Sequence, residues 1–311
     1  MGKIIGHNNI LQSFKKRVEL NEISHAHIIV GEDGIGKSKI ASEFAKNILG
    51  KTQDKDYIDI VKFRAKKASF GVEEVREVIN EINKKPYEGD KKVIIIYDGN
   101  KITVQAQNTL LKIIEEPPKG VFIILLCESL ELILDTIKSR CQIYKLSILT
   151  DEEIRLYIKN INDESFSQEE VNAAVAYSEG VPGKAEAFLR DSSLKELRNL
   201  LVDLLFLITK GNSKKLLDFE EKLNSFKHKK DEILNILSSL VRDVIIYKEI
   251  DDVESLINKD EVQSIKKLAI EMSYKKLTSI IDKIGEARKS LKGNSNFQLT
   301  IRVMLIGFME V

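Results

Sequence analysis

Cysteine is nearly absent: Cys127 and Cys141 are the two in 311 residues. They are too few for a zinc site built from four thiolates, and neither lies in a CxxC pair, so no zinc module and no disulfide scaffold is expected. With only four histidines besides, a transition-metal centre is not expected either. Charge of one sign is also lacking. Lys and Arg number 49 against 48 Asp and Glu, a formal net charge of +1, whereas an autonomous DNA-binding protein usually carries a basic excess. The short basic clusters Lys15-Lys16-Arg17, Lys66-Lys67 and Lys84-Lys85 read as solvated helix faces. No apolar run reaches the ~18 residues of a membrane span. The opening MGKIIGHNNI has no apolar core of signal-peptide length. A cytoplasmic protein with no membrane partner is expected.

What is present is a globular composition, 43% hydrophobic and 31% charged, over a length that suits two or three domains. The first half alternates apolar runs with amphipathic segments, the pattern of an α/β domain with a parallel sheet. Ile28-Ile29-Val30 predicts a strand and Ser38–Leu49 the helix after it; Val72, Val75, Ile79 and Ile82 fall at helical spacing. Val93–Ile96 predicts a second strand, Val121–Leu126 a third and Gln142–Leu146 a fourth. Between them Thr103 can cap a helix stopped by Pro117-Pro118. His25 and His27 flank a strand start and read as packing or backbone-bonded residues. Near Thr150 the pattern changes: Thr150/Glu153 and Ser167/Glu170 are capping boxes, and GVPGKA (180–185) opens another short helix. From Ser192 onward proline is absent, and leucine and isoleucine recur at helical spacing, as in a helical bundle.

GEDGIGKS, residues 31 to 38, satisfies GxxxxGK[ST] with a strand before it and a helix after it. Gly31, Gly34 and Gly36 let backbone N–H groups turn inward around phosphate oxygens, and the following helix adds its dipole. Lys37 would reach the β- and γ-phosphates, and the Ser38 hydroxyl would ligate Mg²⁺. ATP or ADP with Mg²⁺ is the cofactor this loop suits. Hydrolysis asks for more: an acid to hold the Mg²⁺ shell, at the end of a neighbouring strand, and a second residue to orient water. The strand of residues 93–96 runs out as Tyr97-Asp98-Gly99-Asn100 and offers one carboxylate. Asp98 can serve Mg²⁺ or water, and a neutral tyrosine hydroxyl is a poor substitute for the other acid.

KITVQAQNTLLKIIEEPP (101–118) and VFIILLCESLELILDTIKSRC (121–141), with IIGHNNI, SHAHIIVGEDGIGKSKIA and SEGVPGKAEAF in the same order, resemble the AAA+ clamp-loader family of bacterial replication, and most of all its delta-prime group. The resemblance covers about two-thirds of the chain; the helical remainder, with the N-x-N-x-x-L segment Asn294–Leu299, fits the family's collar. It implies an AAA+ nucleotide-binding α/β domain (1–148), a small helical lid (149–191) and an all-α collar for oligomerisation (192–311). It implies other clamp-loader subunits, delta and tau/gamma, as partners in a hetero-pentamer, acting through that complex on a sliding clamp and primed DNA. It also implies that Arg140, in Ser139-Arg140-Cys141, is an arginine finger serving a neighbour's ATP.

Departures from the family pattern are as informative. Tyr97 stands where the Mg²⁺-binding acid usually does, leaving Asp98 as a degenerate catalytic acid, and Asn100 replaces a third acid. Cys127-Glu128-Ser129 occupies the γ-phosphate sensor turn, Lys184 stands near a position that is often arginine, and residues 50–62 lack the zinc cysteines of many relatives. The expectation is a non-motor subunit of the DNA polymerase III clamp loader with weak or absent ATPase activity of its own. The alternative is an ATP-hydrolysing motor of the tau/gamma type, against which Tyr97 counts. A small P-loop kinase would need an acceptor pocket and arginines in cis, and no segment supplies them.

Overall fold

The computed structural model describes residues 4–161, 166–211, 215–293 and 295–310. Asn294, the first residue of the N-x-N-x-x-L segment, and Met1, Gly2 and Lys3 of the amino-terminal stretch lie outside them. The chain forms two compact units, Met1–Asp163 with Gly180–Gly183, and Glu164–Glu179 with Lys184–Val311.

In the first unit the elements run α1 (Asn8–Glu19), β1 (Ala26–Val30), α2 (Lys37–Ile48), β2 (Ile60–Phe63), α3 (Val72–Ile82), β3 (Lys92–Ile96), α4 (Val104–Glu115), β4 (Val121–Cys127), α5 (Asp135–Lys138), β5 (Gln142–Lys145) and α6 (Asp151–Asn160). The five strands form one parallel sheet in the order β2-β3-β4-β1-β5. Every residue of β1 and of β3 is buried. Strands buried along their whole length suit a parallel sheet covered on both faces. One face packs Ile29, Val93, Ile95 and Ile124 against Phe14 of α1 and Phe44 of α2. The other packs Ile28, Ile94, Ile96 and Ile123 against Val75 of α3 and Leu110 of α4.

Two expectations change. The strand bearing Asp98 is not a neighbour of the loop's strand, because β4 lies between β1 and β3. Val93–Ile96 belongs to the third strand, not the second, since Ile60–Phe63 pairs with it as β2, Phe63 opposite Ile96. This short edge strand is only partly buried and carries Lys62 outward, so its sequence lacks the apolar run that betrays the others.

Thr103 accepts a hydrogen bond from the Ala106 N–H at the start of α4, and both capping boxes form. In the second unit α7 (Gln168–Ser178), α8 (which opens at Pro182 and runs to Arg190), α9 (Ser192–Thr209), α10 (Leu216–Ser225), α11 (Lys230–Ile250), α12 (Val262–Glu271), α13 (Tyr274–Lys292) and α14 (Phe297–Met309) follow. Leu201, Leu205, Leu237, Ile280 and Phe308 are among the residues of one continuous core. The buried Asp243 carboxylate accepts from the backbone N–H groups of Ile257 (3.2 Å) and Asn258 (2.6 Å), which ties the loop after α11 to that helix. Arg198 donates to both carboxylate oxygens of Asp260 from α9. A buried charge so supplied with donors avoids the desolvation penalty of an unpaired one.

His27 lies inside β1, not beside it, and is 1% exposed. Its ring meets Phe14 edge-on at 5.4 Å and Tyr144 at 5.8 Å. Burial pushes its pKa down from 6.5 to about 4, against a smaller opposing backbone hydrogen bond at Ser24. His25 takes the other expected role, its Nε2 within 2.8 Å of the Ile114 carbonyl. Because the folded state resists protonating His27, its stability contribution is complete above pH 6.5 and falls as pH drops toward 4. Linkage puts the loss at about 2 kcal/mol between pH 7 and pH 5. Denaturant unfolding at the two pH values should show it in the wild-type chain, and His27→Leu should remove most of the difference.

Candidate functional site

A parallel sheet gathers the ends of its strands at one edge, and loops there share a crevice. From β1 the chain enters Gly31–Ser38. A Cβ on Gly31 would lie 3.0 Å from Ile35 Cγ2 and 3.1 Å from Leu146 Cβ, and Gly34 and Gly36 take φ of +82° and +108°. Only glycine holds such angles without strain. Lys37 and Ser38 open α2. The Lys37 ammonium donates to the carbonyls of its own loop, Gly31 (2.8 Å) and Glu32 (2.7 Å). Burial lowers its pKa, partly offset by Asp33, Glu128, Cys127 and Asp98. To hold a phosphate, the ammonium must exchange these two carbonyl bonds for phosphate oxygens.

Beside the loop is a cavity of about 90 Å³ lined by Lys37, Ser38, Arg64, Tyr97, Asp98 and Glu128, among others. The loop cation and hydroxyl thus line one cavity with Asp98, although their strands are not adjacent. Asp98 adopts φ +56° and accepts from Lys101 Nζ at 3.2 Å. Asn100 ties the ends of β3 and β4, its side-chain oxygen accepting from the Glu128 N–H at 2.8 Å. The buried Tyr97 ring lies beneath the Arg64 guanidinium, 4.0 Å from its centroid. Mg²⁺ needs a near-octahedral set of oxygens. Here the cavity offers the Ser38 hydroxyl and the carboxylates of Asp33, Asp98 and Glu128, but Asp98 is already paired with Lys101, and Lys37, Arg64 and Lys101 bring three positive charges to the same space. These residues fit Mg²⁺ poorly.

Cys127 ends β4 and is buried, and Cys141 is partly buried. Burial pushes their thiols up to about 11 and about 12, which suits packing residues and not nucleophiles.

Arg140 does not line this cavity. It follows α5, with Nε 2.8 Å from Glu115 Oε1 and Nη1 donating to the Thr136 carbonyl at 2.9 Å. The pair is about two-fifths exposed on each side, so it orients the guanidinium more than it stabilises the fold. The segment leading to it is held by the buried Gln107, which donates to the carbonyls of Ile102 (3.0 Å) and Leu132 (2.8 Å) and accepts from the Leu134 N–H (2.8 Å). Arg64, Glu115 and Gln107 had no assigned part in the sequence reading. Gln107 and Glu115 lie within the KITVQAQNTLLKIIEEPP run, while only the pairing of β2 with β3 brings Arg64 beside Tyr97.

The GVPG turn meets the phosphate loop backbone to backbone. Gly183 N–H donates to the Gly34 carbonyl at 3.0 Å, and a Cβ on Gly183 would lie 2.7 Å from Gly34 Cα. Lys184 lines a cavity of about 180 Å³ in the second unit, with Tyr177, Arg198 and Asn258.

Residues 6–150 match the family described as DNA polymerase III, delta subunit, and residues 193–310 match its C-terminal family. The chain is 26% identical over 340 residues to the DNA polymerase III subunit gamma of Buchnera aphidicola, covering 98% of this chain and 93% of that one. It is 24% identical over 319 residues to the subunit delta' of Bacillus subtilis, covering 97% and 95%. A DNA polymerase III gamma-subunit-related protein from Thermotoga maritima has a similar fold, with TM-score 0.55 and 17% identity over 96% of this chain and 98% of that one.

Gly183→Ala should therefore displace the loop and destabilise the first unit by about 1–3 kcal/mol. Gly285→Ala, in the interior of α13 with nothing within 4 Å of its added Cβ, should stabilise the second by up to about 1 kcal/mol. Denaturant unfolding of the two variants should shift in opposite directions.

Proposed function

The chain belongs to the family of DNA polymerase III delta subunits, and from that premise we propose that it is a non-motor subunit of the bacterial clamp loader. The observation that carries this reading is Tyr97 beneath Arg64, at the strand end where a hydrolysing site places a metal-binding acid. Asp98 alone must then serve both metal and water, and Glu128 adds a negative charge to the cavity rather than a polar γ-phosphate sensor. The phosphate loop is retained as a binding element. The intact Gly36-Lys37-Ser38 and the gamma-subunit likeness favour the second reading, a motor of the tau/gamma type.

Arg140 is the residue assigned to chemistry, in trans. A guanidinium from one subunit neutralises charge developing on the phosphoryl group held by the next. Support comes from its exposure and from the Glu115 and Thr136 contacts that hold it in one orientation. The organisation we propose keeps a nucleotide domain (1–148), a lid (149–191) and a collar (192–311). On α14 the apolar Leu299, Val303 and Ile306 are 60%, 56% and 51% exposed at the spacing of one helix face. They support assembly through the collar with delta and tau/gamma subunits in a hetero-pentamer. That complex, in the cytoplasm, would load the sliding clamp onto primed DNA.

ATP turnover by the purified chain should not rise above that of Lys37→Ala; turnover at motor rates would replace this reading with the tau/gamma one. In the reassembled complex, Arg140→Ala should leave assembly intact and lower clamp-stimulated ATP turnover about tenfold or more, since such an arginine is worth about 10³–10⁵ at its own site.

A further inference from the structure

Arg64 reaches the site by register. Phe63 pairs with Ile96, so the next residues on the two strands, Arg64 and Tyr97, leave the sheet side by side. The Tyr97 N–H donates to the Phe63 carbonyl at 2.8 Å, which fixes the backbone there. The guanidinium then lies 4.0 Å above a ring whose residue is 7% exposed. No carboxylate among the described residues pairs with it, and the nearby Asp98 accepts from Lys101 instead. Attraction of the cation to the aromatic face holds the guanidinium in place without using its N–H donors. Those donors remain for an oxyanion, and a guanidinium matches two phosphate oxygens at once.

We propose that Arg64, stacked on Tyr97, replaces Mg²⁺ at this phosphate loop, so that the chain holds a nucleoside di- or triphosphate without a divalent metal. This rests on the reading that the loop binds phosphate at all. Asp33 and Glu128 line the same cavity, so an incoming polyphosphate needs positive charge from both sides, Lys37 on the loop and Arg64 on the strand end. The guanidinium brings a cation to the cavity, and an aromatic ring rather than a carboxylate lies beneath it. A guanidinium neutralises phosphate charge but does not coordinate and acidify water as a metal ion does. Nucleotide held this way is therefore bound without being cleaved, and the loop keeps its selectable use in a chain that lacks the acid pair.

The test is binding of ATP and ADP to the full chain by calorimetry, once with Mg²⁺ and once with excess EDTA. Wild type, Arg64→Gln and Lys37→Ala are compared, with thermal unfolding to verify that the exposed Arg64 can be replaced without loss of fold. Wild-type affinity is expected to agree within about twofold in the two conditions, and Arg64→Gln to weaken it about tenfold or more in EDTA. A wild-type affinity that collapses on metal removal would overturn the proposal while leaving the phosphate-binding reading intact, as would unchanged binding by a folded Arg64→Gln. Wild type that binds no better than Lys37→Ala in either condition would remove the phosphate-binding reading itself and this inference with it.

Discussion

A parallel sheet covered by helices on both faces has one place left for polar chemistry, the edge where its strands end. In this protein β1 and β3 are buried along their whole length and β4 at every residue but Phe122, so Lys37, Tyr97, Asp98 and Glu128 meet only because the chain must leave the sheet there. Insertion of β4 between β1 and β3 sets how far the phosphate loop stands from Asp98. It also brings Glu128, at the end of β4, into the same cavity. The identity of three strand ends thus decides what the loop can do.

At those ends cations and carboxylates meet in one cavity, an arrangement that the proposed function reads as holding phosphate rather than cutting it. Lys37 and Arg64 both line the cavity, Asp98 is engaged by Lys101, and the Tyr97 ring before it lies under the Arg64 guanidinium. Metal-assisted hydrolysis asks for carboxylates free to draw a divalent cation to the phosphates. On the reading proposed above, the loop holds nucleotide as a fixed structural element and the exposed Arg140 serves a neighbour.

Arg140 illustrates how a surface residue is placed by buried ones. Gln107 spends all its hydrogen bonds on backbone groups of the α4 entry and of the segment before α5. That arrangement fixes the path to the short helix, and Glu115 at the end of α4 fixes the guanidinium. A glutamine used this way costs little when fully satisfied and much when half satisfied, since each buried N–H or carbonyl left alone must be desolvated without return.

The sequence by itself determined the phosphate-loop motif, the α/β first half, the helical remainder, the helix caps and the single carboxylate of Tyr97-Asp98-Gly99-Asn100. These depend on neighbours a few residues apart, on periodicity and on the conformations that glycine and proline permit. Strand order, the edge strand β2, the burial of His27 and the Glu115–Arg140 contact depended on tertiary structure. So did the meeting of Gly183 with Gly34, because each joins residues far apart in the chain through packing that no local pattern encodes. Arg64 is the sharpest case. In the sequence it is one basic residue in a charged stretch, and only the hydrogen-bonded register of two parallel strands puts its charge on the Tyr97 ring beside Asp98.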